Sequence, residues 1–474
     1  MSQAMGVTGQ LPRVRPGGFP ADPDFPQLAV ASDPERMLEL FRRHLEPAAG
    51  KRYHIEDCAP LRFRCRQSTA RCVLQYTLRL LEPGTGRRWD QGVTGLVYAQ
   101  QGAAERLWRE MQATDPSQGI PDDWLTFRPV GFIPDLEMVV QVFPYDRKLR
   151  NLSLVLGGAL RDLDPQLLAR LAPGEWRVTE RIMAPTRYRT ELGAALKYTL
   201  QARDATTGRA ETLRCFVKVY RNDHGEHTFE LLQSLGQRVE RGETGYSVVR
   251  PVAYRKDLRT LVLEEAPGTA LLQLLREGHD PAGPLRITAR AVAAFHQDDV
   301  GTAAVARSSL AVQLEELRRG ATIVEWARPE LATQVRAITA AVATGLDEVA
   351  PAPIHGDLKP DHVFLAGDRV IFIDLDSVVL GDPVRDPAHM FAYVAGRVGL
   401  DAMAAEQARA AAGLFAAEYF DHVPGAWRRR FGLHCAGALV EVASAIFRRQ
   451  EAHWPEKVAA AVAAAQDCLQ RVRA

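Results

Sequence analysis

The spacing of apolar positions changes along this chain, and each change predicts a different kind of structure. Up to about residue 30, Pro and Gly are frequent and large apolar residues few, which predicts a disordered tail. Asp33-Pro34 then predicts a helix start, a capping acid followed by Pro in the first turn, with Met37, Leu38, Phe41 and Leu45 at helical spacing. From Tyr53 to Val142 the pattern is that of strands, with one helical insertion around Ala103 to Met111. Helical spacing takes over after Gly268: Ala270 to Glu277, Leu285 to His296, Leu310 to Val349 with breaks, Asp401 to Tyr419, Trp427 to Gln450, and Pro455 to Arg473. One stretch interrupts it. In Pro353–Ala388 the apolar runs Val363-Phe364-Leu365 and Val370-Ile371-Phe372-Ile373 flank Ala366-Gly367-Asp368-Arg369, which predicts a hairpin.

The strand-rich region contains an internal repeat. Ala59-Pro60-Leu61-Arg62-Phe63-Arg64 recurs as Ala184-Pro185-Thr186-Arg187-Tyr188-Arg189, and Tyr76-Thr77-Leu78 as Tyr198-Thr199-Leu200. Thr85-Gly86-Arg87 matches Thr207-Gly208-Arg209, Val97-Tyr98 matches Val219-Tyr220, and Arg128-Pro129-Val130 matches Arg250-Pro251-Val252. Apart from one short gap the copies stay 122 residues apart, a register that chance similarity would not hold. The expectation is a duplicated module.

Composition narrows the function classes. The chain has 474 residues, 46% hydrophobic and 25% charged, with net charge +1, as expected of a soluble protein of two or three domains. That near-neutral balance argues against nucleic acid or an anionic membrane as partner. No basic-then-apolar leader and no uninterrupted apolar run of membrane length is present, so a cytoplasmic location is expected. Six cysteines without a C-x-x-C pair read as reduced core thiols. Only seven of 59 basic residues are lysine, which makes a lysine inside a strand or a catalytic loop less incidental.

The predicted hairpin carries the candidate chemistry. Asp357 precedes its first run and Asp374 ends its second, so the two carboxylates should meet at one rim. Such a pair can divide its labour, one acid taking a proton while the other holds a divalent metal. Each acid taken alone also reads as a turn or cap residue. The ordered set His355-Gly356-Asp357, Asp374, Asp376 and Gly381-Asp382-Pro383 is harder to dismiss, and it resembles the aminoglycoside phosphotransferase and choline kinase family. That family is similar in fold to protein kinases, whose catalytic loop reads H-R-D-L-K-P-x-N. The resemblance implies an α+β, protein-kinase-like two-lobe fold, with a small antiparallel-sheet N-lobe and a mostly helical C-lobe. Here a degenerate N-lobe-like repeat would precede it. The expected division is a tail over 1–30, the degenerate module over 31–160, the nucleotide-binding lobe over 161–268 and the helical lobe over 269–474.

The resemblance also assigns roles. Asp357 would be the catalytic base, Asp374 a magnesium ligand, Asp386 a brace for the catalytic loop, and Lys359 a charge neutraliser at the transferred phosphate. The sequence departs from the family at His362, which stands where most members have Asn. An imidazole suits manganese better than magnesium, and both metal ligation and a loop-anchoring hydrogen bond are open to it. Lys218, inside the strand Phe216–Tyr220, resembles the kinase lysine that pairs with nucleotide phosphates, whereas the first copy has Leu96 there. Glu226, on a helix from Gly225 to Gln237, is the preferred acid to pair with Lys218. The turn around Gly193 stands where a phosphate-covering loop belongs, and reads equally as a plain hairpin. Glu264 to Ala266 resembles a hinge whose backbone would meet adenine. His296 would tie a helix to the catalytic loop, and Glu441, Arg448 and Glu451 either face the acceptor or form a solvated helix face.

The function implied is transfer of the γ-phosphoryl group of ATP or GTP to a hydroxyl of a small molecule, an aminoglycoside, amino alcohol or sugar-like compound. Magnesium is the expected metal, with manganese as the alternative that His362 raises. A protein kinase is a second reading, weakened by the short link from Asp374 to Gly381-Asp382-Pro383, which leaves no room for an activation segment. A nucleotide-binding pseudokinase is the third, favoured by His362. For the first module, a cap, a substrate gate and a homodimer surface are all open.

Overall fold

The computed structural model describes residues 19–66, 71–278, 280–300 and 305–473. It divides into two units. One runs to Phe229 and adds Pro251–Glu265 and Arg448–Ala452; the other comprises Glu230–Arg250, Ala266–Phe447 and His453–Ala474.

The first unit begins earlier than the expected tail allows. Residues 1–18 of that tail lie outside the described residues, but Phe25 and Leu28 are buried, and the Phe19 ring lies 4.5 Å from Phe63. Helix α1 (Leu28–Ala31) leads to α2 (Pro34–His44), whose first amides, Glu35 and Arg36, donate to the Asp33 carboxylate at 2.9 and 3.2 Å. Met37 and Phe41 face inward, as their spacing predicts.

Two antiparallel sheets follow. The first contains β1 (His54–Arg66), β2 (Arg71–Glu82), β3 (Arg87–Tyr98), β4 (Val130–Ile133) and β5 (Met138–Val142), in the order β1-β2-β3-β5-β4, with α3 (Ala103–Gln112) between β3 and β4 in sequence. Short helices α4 (Asn151–Leu156) and α5 (Asp164–Leu168) come next, and their Leu152, Val155 and Leu167 share a core with Leu196, Val217 and Val262 of the second sheet. That sheet has β6 (Trp176–Arg189), β7 (Gly193–Asp204) and β8 (Ala210–Tyr220), then α6 (His224–Glu240), which divides between the units. After β9 (Ser247–Val248), which belongs to the other unit, it is completed by β10 (Pro251–Arg255) and β11 (Thr260–Glu264). Its order, β6-β7-β8-β11-β10, is that of the first sheet.

Registers coincide as well. Val73 lies opposite Leu96 and Leu96 opposite Val139 in the first sheet; Ala195 lies opposite Lys218 and Lys218 opposite Leu261 in the second, each position displaced by 122 residues. The chemistry at that position differs. Leu96 is fully buried in a cluster with Val73, Met111 of α3 and Val139, whereas Lys218 is only half-buried.

The second unit is mostly helical: α7 (Leu271–Arg276), α8 (Ala282–His296), α9 (Leu310–Ala327), α10 (Ala332–Gly345), α11 (Arg385–Ala395), α12 (Ala405–Asp421), α13 (Phe431–Arg448) and α14 (Trp454–Arg473). Gly425–Arg448 is long and apolar enough by composition to cross a membrane, but it is mostly buried here. Among the strands, β12 (Thr269–Ala270), β13 (Ala352–Ile354), β14 (Val363–Ala366), β15 (Arg369–Phe372) and β16 (Val379–Gly381), the predicted hairpin is β14–β15, with Val363 opposite Phe372 and Ala366 opposite Arg369. It is the middle of a sheet ordered β12-β14-β15-β9, in which β9 runs parallel to β15; β13 pairs with β16 beside it. Antiparallel sheets in one unit and helices in the other give the α+β composition that the motifs imply.

Candidate active site

The segment joining β13 to β14 is shaped by its backbone. Gly356 sits at φ +77°, and a Cβ there would come within 2.3 Å of the Ser377 carbonyl oxygen, so only glycine lets the chain pass. The His355 ring crosses to the other arm of the hairpin, where its Nε2–H donates to Ile373 O at 2.9 Å while Nδ1 accepts the Asp357 amide at 3.4 Å. Asp374, immediately after, holds a left-handed conformation at φ +61°, an uncommon state for a non-glycine residue and one that concentrates at functional sites. The hairpin therefore turns both acids to one end.

Asp357, His362 and Asp374 form a group in which the ligating atoms all lie within 4.8 Å of one another. His362 Nε2 is 3.2 Å from Asp374 Oδ2, and its Nδ1 is 3.8 Å from Asp357 Oδ2. That Nδ1 is buried and has no hydrogen-bond partner among the described residues. Burial, then the Lys359 charge, push the His362 pKa down to about 4, so the ring is neutral near pH 7 and keeps a lone pair for a metal. Two carboxylates and a neutral imidazole fit a divalent cation that accepts nitrogen as well as oxygen. Lys359 is buried and donates to Asp357 Oδ2 at 2.8 Å, with its ammonium 5.8 Å from the centre of the Tyr393 ring. Burial alone would raise the Asp357 pKa; Lys359 above all, then His362 and His389, outweigh it and hold it at about 2.

Asp386 is where the motif placed a brace. Its carboxylate, fully buried, accepts the His355 amide at 2.6 Å and the Gly356 amide at 3.0 Å, and meets His296 Nε2 at 3.0 Å. His296 Nδ1 in turn lies 2.8 Å from the Tyr419 hydroxyl, so α8 and α12 are joined to the loop through one acid. Other supports were not foreseen. His389 Nδ1–H donates to Leu358 O at 2.8 Å, from the same face of α11 as Asp386, three residues on. Asp382 is gripped by Arg430 at 2.8 and 2.9 Å and by His434 at 2.9 Å. Those partners hold its pKa well below the usual carboxylate range, although burial opposes them. The i,i+3 spacing of His389 was a usable signal; Arg430 and His434, some fifty positions after Asp382, gave none.

Between α9, α10, α11 and α13 lies a pocket lined by Gln313, Arg385, His389, His434 and Glu441, with Leu317 and Val342. Through His389 it adjoins the segment that carries Asp357. Glu441, for which both an acceptor-facing position and a solvated helix face were open, lines it. Arg448 and Glu451 instead belong to the segment counted with the first unit.

The structure thus brings together Asp357, Lys359, His362 and Asp374. Lys218, Glu226, Gly193 and Glu264 belong to the first unit, and Ala266 opens a segment of the second. Lys218 sits in mid-strand between Ala195 and Leu261. Glu226 forms an ion pair with Lys256 at 3.1 Å, and Glu264 one with Arg170. Gly193 has left the turn and opens β7, opposite Arg189 and Tyr220. The turn itself departs from the phosphate-covering expectation: Thr190 and Glu191 are buried in protein, and the Glu191 and Leu192 amides already donate to Asp146 and to Arg189 O.

The model of the APH phosphotransferase enzyme family matches residues 184–430. Among curated proteins no match is found. Solved structures similar to the chain include a choline kinase from Cryptosporidium parvum, 9% identical, covering 67% of this chain and 95% of its own, TM-score 0.44. An amicoumacin kinase in complex with AMP-PNP and Ca2+ is 14% identical over 65% of this chain and 93% of its own, TM-score 0.41. The ADP-bound aminoglycoside phosphotransferase APH(2'')-Ib is 11% identical over 64% of this chain and 96% of its own, TM-score 0.39.

Proposed function

The chain belongs to the APH phosphotransferase enzyme family, and we propose that it transfers the γ-phosphoryl group of ATP or GTP to a hydroxyl of a small molecule, an aminoglycoside, amino alcohol or sugar-like compound. The observation that carries this reading is the convergence of Asp357, His362 and Asp374 beside the buried Lys359. The acceptor hydroxyl gives its proton to Asp357 as its oxygen bonds to the γ-phosphorus, and the bond to the β-phosphate oxygen breaks to release the nucleoside diphosphate. A carboxylate held at about 2 takes that proton late, which suits a loose transition state with little early bonding to the nucleophile. Lys359 neutralises charge on the group in flight. Asp374 and His362 would hold a divalent metal, magnesium or manganese, which when bound neutralises the phosphate oxygens.

In the other unit we assign Lys218 to the α- and β-phosphates and the backbone from Glu264 to Ala266 to adenine; Glu226, the acid expected to pair with Lys218, pairs with Lys256. Gly193 opens β7, where a Cβ would come within 3.0 Å of the Val219 carbonyl oxygen of the neighbouring strand. The matched registers of the two sheets support duplication of this module, the first copy having lost the lysine at Leu96. The pocket bounded by Gln313, Arg385, His389 and Glu441 is the proposed acceptor site. A second reading, a nucleotide-binding pseudokinase, is favoured by one feature, His362 at the position of the usual amide.

Turnover of ATP and GTP with magnesium and then manganese, against a panel of aminoglycosides, amino alcohols and sugars, tests the two. Acceptor-dependent turnover abolished by Asp357→Asn supports the kinase. Nucleotide binding without turnover in either metal supports the pseudokinase.

A further inference from the structure

The tip of the β6–β7 hairpin is held by the first sheet and by the segment that follows its last strand. The Glu191 carboxylate is fully buried and receives Arg71 Nη1 at 3.2 Å and Arg147 Nε at 2.6 Å. Its second oxygen pairs with Arg71 Nη2 and lies 3.8 Å from Lys148 Nζ. The Glu191 amide donates to Asp146 Oδ2 at 2.6 Å, and the same oxygen accepts the Tyr188 hydroxyl at 2.8 Å. Next to it, Thr190 Oγ1 takes a hydrogen bond from Gln75 Nε2 at 2.9 Å and lies 2.7 Å from Thr94 Oγ1, and the Thr190 carbonyl accepts Arg64 Nη2 at 2.9 Å. Strands β1, β2 and β3 and the segment after β5 all contribute. Glu191 is fixed at φ +61°, a conformation that a non-glycine residue keeps only when its surroundings over-determine it.

The face that receives this tip is informative. Thr94 lies two residues before Leu96 on β3 and so shares its face, and Gln75 and Gln141 are its cross-strand neighbours on either side. By the 122-residue register this is the counterpart of the Lys218 face of the second sheet. Where the second module would receive a nucleotide, the first receives a peptide of its sibling, with a carboxylate against Arg71 and Arg147.

We infer that the first module is a built-in holder for the nucleotide-binding sheet, with Arg71, Arg147 and Asp146 acting through Glu191 as positioning residues for nucleotide binding. This rests on the nucleotide reading of the second module. A turn whose amides are engaged and whose acid is locked in a charge-assisted network cannot drape over phosphates; it fixes the end of the hairpin that is continuous with β7, the strand beside Lys218. The holder replaces the loop mobility that glycines would otherwise supply. An intact holder should therefore affect how tightly nucleotide binds far more than how fast the bound group is transferred.

The test compares the full-length wild type with Arg71→Met, Arg71→Lys and Glu191→Gln. It reads amide hydrogen exchange over residues 186–196, displacement of a fluorescent ATP analogue by ATP, and kcat against KM for ATP. Expected for Arg71→Met and Glu191→Gln are exchange faster by about tenfold or more in that segment, nucleotide affinity weaker by about tenfold and kcat within about twofold. Arg71→Lys, which keeps the charge, should recover part of the affinity. Unchanged exchange and affinity in both variants, or a fall in kcat at constant affinity, would overturn the inference. A wild type that binds no nucleotide overturns the nucleotide reading and the positioning role with it, while the exchange data still decide whether the socket holds the turn.

Discussion

Lys359 Nζ donates to Asp357 Oδ2 across 2.8 Å, with the lysine side chain 5% exposed and the aspartate 35%. A buried lysine so placed is no flexible surface cation. Asp357→Asn should lower kcat on the order of 10³-fold by removing the proton acceptor. Lys359→Met should lower it on the order of tenfold or more, with little change in KM for the acceptor. Initial-rate kinetics at saturating nucleotide check both; an unimpaired Asp357→Asn enzyme would refute the assignment.

His362 presents a buried nitrogen where an amide oxygen would suit magnesium. The wild type should prefer manganese to magnesium by about tenfold in kcat/KM, and His362→Asn should bring that ratio near one. Electron paramagnetic resonance of Mn2+ supplies a reading independent of activity, with weaker binding expected in the variant.

Removing the Asp386 carboxylate leaves the amides of His355 and Gly356 and the ring of His296 without their shared acceptor. Asp386→Ala should destabilise the fold by about 3–5 kcal/mol, seen as a lower urea midpoint at unchanged slope.

Leu96→Lys would place a lysine in the first sheet where the second carries one. Because Leu96 is completely enclosed by Val73, Val139 and Met111, the change should cost about 3 kcal/mol or more and create no nucleotide site. Equilibrium unfolding with a nucleotide titration measures both.

Burial raises the proton affinity of Glu191, but hydrogen bonds from Arg71 and Arg147 outweigh it and hold its pKa at about 2. Lys148 also faces the carboxylate, as does Asp146, whose own pKa burial raises. A depressed carboxylate contributes stability that is complete above its unfolded pKa of about 4.3 and is lost as pH falls through the folded value. The contribution, at most about 3 kcal/mol, should therefore disappear between about pH 5 and pH 2. Glu191→Gln should flatten the stability profile in that window, measured by denaturant unfolding across pH.

How much of this could be read in advance depended on the range of each interaction. The β14–β15 hairpin was legible because alternating apolar runs and a Gly-Asp turn are local signals, and the meeting of Asp357 and Asp374 followed from hairpin geometry alone. Asp386 and His296 were legible only through the family resemblance, which placed a brace and a helix tie at those positions. Local pattern could not reveal that Glu191, an acid in a turn, would be wholly enclosed, because its partners Arg71 and Arg147 come from another sheet and from the segment after it. The ordered stretch from Phe19 was missed for a related reason. Phe19, Phe25 and Leu28 are too sparse to form a pattern of their own, and they gain order by covering residues such as Phe63.

The sheet around the candidate catalytic acids has a bearing on how the protein is made. Its outer strands, β9 and β12, leave the ribosome about a hundred residues before the hairpin they flank, and Asp386 emerges later still. Until then, Ser247–Val248 and Thr269–Ala270 have no strand of their own sheet to pair with, so a nascent chain halted anywhere in that interval carries exposed edges and no reactive centre. Biosynthesis should thus show a late, abrupt gain of protease resistance in the helical half rather than a gradual one.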